Sequence, residues 1–228
     1  MNKEMIKNKL MDVIAAERIL CDEPMKNHIS FKVGGPADFL VVPESCEEFI
    51  NVLACCRKNN LPFYVMGNGT NLLVRDNGYR GVMIKTRQLC RITVGDTGIS
   101  AEPGSLLKDV AQAALEGCLT GMEFASGIPG SLGGAVVMNA GAYDGEMKDI
   151  IRSIEVVTES GEILELPIDE CRMGYRKSIV QENPWFVIGV NLLLRKGDYN
   201  TIKAKMDDLN ERRRSKQPLE YPSAGSTF

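Results

Sequence analysis

Histidine occurs once in the chain, at position 28, and none of the seven cysteines forms a C-x-x-C pair. Without ligand spacing of that kind no metal site is expected. Long hydrophobic runs are missing as well: no stretch approaches the ~20 apolar residues that span a bilayer. Positive charge is not in excess. Lysine and arginine number 27 against 30 aspartates and glutamates, a formal net charge of -3, which argues against a general nucleic-acid binder. No glycine-rich stretch ends in Gly-Lys-Ser/Thr, so a Walker-type phosphate loop is excluded. Internal repeats, low-complexity tracts and Pro/Ser-rich linkers are absent too.

What remains is an ordinary globular composition, 228 residues with 44% hydrophobic and 25% charged. A chain of this length buries enough apolar surface to fold without disulfide or metal staples. The cysteines are therefore expected to be free, mostly buried thiols in a reducing compartment. Met5, Ile6, Leu10, Val13 and Ile14 recur at helical spacing among Lys and Glu. That pattern predicts an amphipathic helix rather than the apolar core of a signal peptide, and the cytoplasm is the expected location.

Further along, 45–60 reads as a helix with Ser45 and Glu48 at capping-box spacing and Phe49, Val52, Leu53 and Cys56 on one face. FYVMG (63–67) and GVMIKT (81–86) read as strands, and ISAEPG as a short strand ending in a turn. A helix capped by Ser105 and closed by Gly117 follows. Residues 151–167 have the two alternating apolar runs of a hairpin around Glu159-Ser160-Gly161. FVIGVNLLLR (186–195) is another strand, and the segment after it a helix capped by Asn200. Helices and strands mix without strict alternation, which favours an α+β arrangement over a doubly wound parallel sheet.

Two glycine-rich segments carry the chemical signal. In VMGNGTNLLVRDNG (65–78), Gly67 and Gly69 let backbone N–H groups approach a ligand, as phosphate loops do. The loop runs into Leu72-Leu73-Val74, read as a short strand, where a dinucleotide fingerprint would open a helix. A plain β-turn is the other reading. In SGIPGSLGGAVVMNAGAYDGE (126–146), six glycines at 127, 130, 133, 134, 141 and 145 exceed what a connector requires. Two such segments point to an extended ligand with a central pyrophosphate, or to a pair of glycine-rich packing turns.

The string GIPGSLGGAVVMNAGAYDGE resembles the flavin-binding loop of the UDP-N-acetylenolpyruvoylglucosamine reductases, in the branch with a short loop after YRKS. SFKVGGPADFLVVP (30–43), GNGTNLLV (67–74), YRKS (175–178) and QPLEYPSAGSTF (217–228) resemble further family motifs in the same order. The likeness covers about residues 20–228. It implies an α+β FAD-binding fold of the p-cresol methylhydroxylase and vanillyl-alcohol oxidase type, with the flavin between two subdomains. Those subdomains would be residues 1–90 and 91–199, with 200–228 beginning a substrate-binding domain. Noncovalent FAD is implied, since His28 does not match a Gly-His attachment site. The cofactor would contact Gly67, Asn68, Gly69, Thr70, Asn71 and Leu72, and also Ser126, Gly127, Ile128, Pro129, Gly130, Ser131, Gly133, Gly134 and Ala135.

The implied reaction passes hydride from the co-substrate NADPH through flavin to the enolpyruvyl group of a UDP-linked amino sugar, giving UDP-N-acetylmuramate for peptidoglycan. Charge building on the substrate carboxylate then needs a fixed cation, and the α-carbon needs a proton. Arg176 matches the cation and Ser226, rather than Ser223, the proton donor. Tyr175 and Lys216 match substrate contacts, Lys216 at the diphosphate. Arg212, Arg213 and Arg214 read as a solvated helix end favourable to the macrodipole. No residue matches the family's catalytic glutamate, so a truncated chain that binds FAD but turns over poorly is expected. The alternatives are a catalytically silent FAD-binding module and another oxidoreductase of the same fold.

Overall fold

The computed structural model describes residues 2–218 and 220–222. The chain up to Leu89 forms one compact unit and Cys90–Tyr221 another.

In the first unit, α1 (Lys3–Met11) is capped by Asn2, whose side chain accepts from the Met5 N–H at 2.8 Å. The amphipathic reading holds only in part. Leu10 is buried, but Met5 is exposed, and Ile14 is buried beyond the end of the helix. Strands β1 (Ile19–Pro24), β2 (Pro36–Val41), β3 (Phe63–Met66) and β4 (Tyr79–Lys85) form one sheet in the order β1-β2-β4-β3. β1 pairs antiparallel with β2, while β2 and β3 both run parallel to β4. Parallel neighbours need a crossover, and α2 (Cys46–Lys58) lies between β2 and β3 in the chain. Ser45 Oγ accepts from the Glu48 N–H at 3.1 Å. Phe49, Val52, Leu53 and Cys56 are buried as the spacing predicts.

Leu72–Val74 is not a strand. Here the backbone turns to meet Gly34–Gly35: Arg75 O accepts from the N–H of Gly35 at 3.0 Å and of Gly78 at 2.8 Å. Those bonds take the place of a ladder, and Leu73 is left exposed.

The second unit is built on an antiparallel sheet of β5 (Ile92–Val94), β6 (Gly98–Ala101), β7 (Ile151–Val157), β8 (Ile163–Pro167) and β9 (Phe186–Leu193), in the order β8-β7-β9-β6-β5. The β7–β8 hairpin is the one expected from its alternation. Helices α3 (Leu107–Glu116), α4 (Leu132–Val137), α5 (Ile179–Glu182) and α6 (Tyr199–Lys216) complete it. Leu107, Val110, Ala111, Ala114 and Leu115 of α3 share a core with Ile99, Ile154, Val156, Val190 and Leu192 of the sheet. Ile202 and Met206, four apart on α6, join the same core. Burial of each Leu, Ile, Val or Met among them stabilises by ~1.5–3 kcal/mol.

Two caps differ from the sequence reading. Leu106, not Ser105, is the N-cap of α3, because an antiparallel bridge from Leu106 to Ser131 keeps the chain extended for one more residue. Asp198, not Asn200, caps α6. Its carboxylate accepts from the Thr201 N–H and Oγ1, both at 2.8 Å, a stronger use of the helix dipole than a neutral amide makes. The thiols are less uniformly buried than expected. Cys55, Cys56 and Cys171 are buried, but Cys21 and Cys90 are exposed. Burial pushes the Cys56 thiol up to about 12 and Cys171 to about 11, which leaves both unreactive. Among the described residues no cluster suits a metal ion, and no helix is long and apolar enough to cross a membrane.

Glu123 is a buried carboxylate in this core, 2% exposed. Burial alone would raise its pKa. The Thr120 hydroxyl at 2.5 Å, the Gly121 N–H at 3.0 Å and Lys205 at 3.7 Å bring it below the ordinary glutamate value instead. A carboxyl depressed in the folded state adds stability above its unfolded pKa and loses it as pH falls through the folded one. Glu123→Gln is therefore expected to cost ~1–3 kcal/mol at pH 7. The gap from wild type should shrink below pH 4 in urea titrations, and a gap independent of pH would contradict the ionised carboxylate.

Candidate active site

Each glycine-rich segment is set by its own unit. In the first, Gly67–Leu72 follow β3 directly. Gly69 has φ +67, and its missing Cβ is filled by His28 O, so only glycine fits. Gly69 O accepts from the Ser30 N–H at 3.0 Å, which ties the loop to residues 28–30. His28 is fixed in turn, with Nε2 2.9 Å from Glu23 Oε1 and Nδ1 3.1 Å from Lys85 Nζ. Its partners are a carboxylate and an amine, with no cysteine among them.

In the second unit, residues 126–146 are not an open loop throughout: Gly133, Gly134 and Ala135 lie in α4. The preceding turn is clamped to residues 103–107. The N–H of Leu107 donates to Gly130 O at 3.0 Å, Leu132 to Ser105 O at 2.8 Å and Gly133 to Pro103 O at 2.8 Å. A Cβ on Gly133 would stand 2.7 Å from Pro103 Cβ, so that glycine answers to packing. At Gly134 the nearest atom to an added Cβ is Ser131 Oγ at 3.4 Å, ordinary contact, and the residue is exposed. Among the described residues, the amides of Gly127, Gly130 and Ser131 take no protein acceptor. Those donors, at the start of a helix whose next two N–H groups are engaged, suit the phosphate oxygens of a dinucleotide. On that test the segment fits FAD.

Ser126 Oγ donates to Glu123 O at 2.9 Å, so its hydroxyl helps shape the turn. Asn210 and Arg213 of α6 flank Gly127: a Cβ there would meet Asn210 Oδ1 at 2.7 Å and Arg213 Cδ at 3.2 Å. These two, with Pro129 and Arg214, line a depression of about 380 Å³. By sequence the three arginines belong together at a solvated helix end. The structure separates them: Arg212 pairs with Asp208 at 2.8 Å and Arg214 with Glu211 at 3.7 Å, while Arg213 lies against the turn. The available signal was the three-residue spacing of Asn210 and Arg213, which puts them on one helix face.

Tyr175 and Arg176 form the tip of a tight hairpin closed by a bridge between Gly174 and Lys177. Both are exposed, and the Arg176 guanidinium carbon lies 5.6 Å from the centre of the Tyr175 ring. Arg176 has φ +53, uncommon for a side chain of this size. The hairpin hangs from the far end of α4. Val137 O accepts from Ser178 Oγ at 2.8 Å and from Gln181 Nε2 at 2.9 Å. One short helix therefore begins at the glycine turn and ends at the anchor of the Tyr-Arg tip. Lys216, the last residue of α6, is exposed. Ser226 and its neighbour Ser223 lie outside the described residues.

Residues 37–167 match the family model of the FAD-binding domain, so this is a flavoprotein of the α+β FAD-binding class. A UDP-N-acetylenolpyruvoylglucosamine reductase of Caldanaerobacter subterraneus is 51% identical over 225 residues, 99% of this chain and 74% of the relative. The chain belongs to the UDP-N-acetylenolpyruvoylglucosamine reductase family. A solved reductase of that name from Thermus caldophilus superposes with TM-score 0.78 at 32% identity, covering 92% of this chain and 74% of its own. Phl p 4.0202, a glucose dehydrogenase, shares the fold alone, with TM-score 0.67 at 11% identity over 86% of this chain and 44% of its own.

Proposed function

We propose that this chain is the NADPH-dependent, FAD-containing reductase of UDP-N-acetyl-3-O-(1-carboxyvinyl)-glucosamine, acting in the cytoplasm to supply UDP-N-acetylmuramate for peptidoglycan. The observation that carries the reading is 51% identity to a reductase of that name along nearly the whole chain. The exposed Tyr-Arg tip anchored to the helix of the glycine turn agrees with it. FAD, held noncovalently, supplies the hydride chemistry when bound. The Gly127, Gly130 and Ser131 amides hold its phosphates. Arg176 faces the substrate carboxylate, where negative charge grows as the enolpyruvyl double bond is reduced. Ser226 delivers the proton to the α-carbon, a role open to a hydroxyl only because the acceptor is strongly basic. Tyr175 and Lys216 hold the UDP-sugar, the lysine as a point charge on its diphosphate.

The protein is expected to purify yellow, or to take up added FAD, and to be bleached by NADPH under anaerobic conditions. Addition of the enolpyruvyl UDP-sugar should then restore the oxidised flavin spectrum. A colourless protein that takes up no FAD sinks the reading. Uptake and bleaching without reoxidation would instead mark a silent flavin-binding module.

A further inference from the structure

Asn139 is 3% exposed, sits one residue past the Met138 C-cap of α4 and has φ +41, a conformation asparagine tolerates better than most residues. Its side chain uses both polar atoms. Nδ2 donates to Glu146 Oε2 at 2.8 Å and to Gly174 O at 3.0 Å, and Oδ1 accepts from the Lys148 N–H at 3.0 Å. Gly174 is the foot of the hairpin whose tip is Tyr175–Arg176, and its carbonyl also closes the turn by accepting from Lys177 N at 3.2 Å.

Other polar contacts hold the hairpin too, among them Lys177 Nζ to Glu182 Oε1 at 2.7 Å. Tyr175 is 81% exposed, so apolar packing does not set its position. Polar bonds to the end of α4 do: Asn139 at Gly174, Ser178 at Val137, and Gln181 at both Val137 O and Arg176 O, the last at 3.2 Å. Asn139 also fixes the charge beside the tip. Glu146 is held ionised by Lys148 at 2.8 Å and by the Asn139 amide, with the Arg176 charge acting in the same direction. Its ion pair is with Lys148.

We infer that Asn139 is a positioning residue that sets the place of the Arg176 guanidinium relative to α4 by hydrogen bonding Gly174 and Glu146. The inference rests on the reading of Arg176 given above. A guanidinium displaced by ~1 Å from a developing charge loses up to ~10²-fold in rate even where nothing unfolds. Gly174 O and the Glu146 carboxylate would both repel an aspartate at 139, whereas alanine simply releases them.

The test compares Asn139→Ala, Asn139→Asp and the exposed Gln181→Ala with wild type. FAD uptake and anaerobic bleaching by NADPH are expected to stay within twofold. Single-turnover reoxidation by the enolpyruvyl UDP-sugar should slow ~10–100-fold for the Asn139 variants and less for Gln181→Ala, as misplacement predicts. Amide hydrogen exchange should quicken at residues 173–178 and not across the sheet. A general weakening would move FAD uptake and exchange throughout the unit. Unchanged exchange at 173–178 in Asn139→Ala overturns the anchoring, and quickened exchange with wild-type reoxidation overturns its effect on reaction. If Asn139→Ala does not fold, Asn139→Asp is read in its place, and wild-type exchange and reoxidation in that variant also overturn the inference. Arg176→Ala separates the two claims. Wild-type reoxidation in that variant removes the role of the arginine, and exchange at 173–178 then judges the anchor alone.

Discussion

Arg176→Ala is expected to stay yellow, to be bleached by NADPH at the wild-type rate, and to lose ~10²–10³-fold in reoxidation by the enolpyruvyl UDP-sugar. The split follows from where the charge develops. Hydride arriving at the substrate's double bond drives electron density into the adjacent carboxylate, and a preoriented guanidinium stabilises that state more than the ground state. Flavin reduction builds no charge at the tip of the hairpin, so that step has nothing to lose. Stability should barely move, because Arg176 is exposed and makes no ion pair among the described residues. Its contact with the Tyr175 ring, at 5.6 Å, is worth ~0.5–1 kcal/mol at an exposed site. Arg176→Lys is expected to recover only part of the rate, since an ammonium cannot reproduce a planar, two-pronged contact with a carboxylate. Equal losses in both half-reactions would assign the arginine to the cofactor, and no loss in either would remove it from the site.

Strands and helices with strong periodicity were legible in the sequence. The α2 face of Phe49, Val52, Leu53 and Cys56 is buried as read, and the β7–β8 hairpin turns where its alternation breaks. What escaped were features decided by distant backbone. Leu106 caps α3 because Ser131 bridges to it from 25 residues on, and Leu72–Val74 stays out of a sheet because Gly35 meets Arg75. Neither partner is visible from local propensity, and single residues at element ends follow tertiary contacts first. The site divides in the same way. The glycine density of 126–146 and the Tyr-Arg pair stand out by composition and resemblance. Asn139 and Arg213 do not: one is an unremarkable residue after a helix, the other the middle of three arginines. Their neighbours, Gly174 and Gly127, lie 35 and 86 positions away in the chain.

The glycines of 126–146 differ in what fixes them. If glycine density in 126–146 served packing alone, every glycine there would be fixed by protein atoms. Gly133 is so fixed, against Pro103, but Gly134 has no atom closer than 3.4 Å to an added Cβ and a backbone any residue adopts. An interior helix glycine costs ~0.5–1 kcal/mol relative to alanine, so the fold by itself favours alanine at 134. Retaining glycine there makes sense if a ligand approaches the backbone where the Cβ would stand. Gly134→Ala is accordingly expected to raise the melting temperature of the FAD-free protein by ~1–4 °C, while weakening FAD binding ~10-fold or more. Gly133→Ala should do the reverse in the FAD-free state, losing ~1–3 kcal/mol from forced overpacking on Pro103. Scanning calorimetry without cofactor and fluorescence titration with FAD read the two quantities separately. A Gly134→Ala protein that is more stable and binds FAD as tightly as wild type would show that the exposed side of α4 faces water rather than the dinucleotide. The cofactor contacts proposed at 130–135 would then have to move to the turn before the helix.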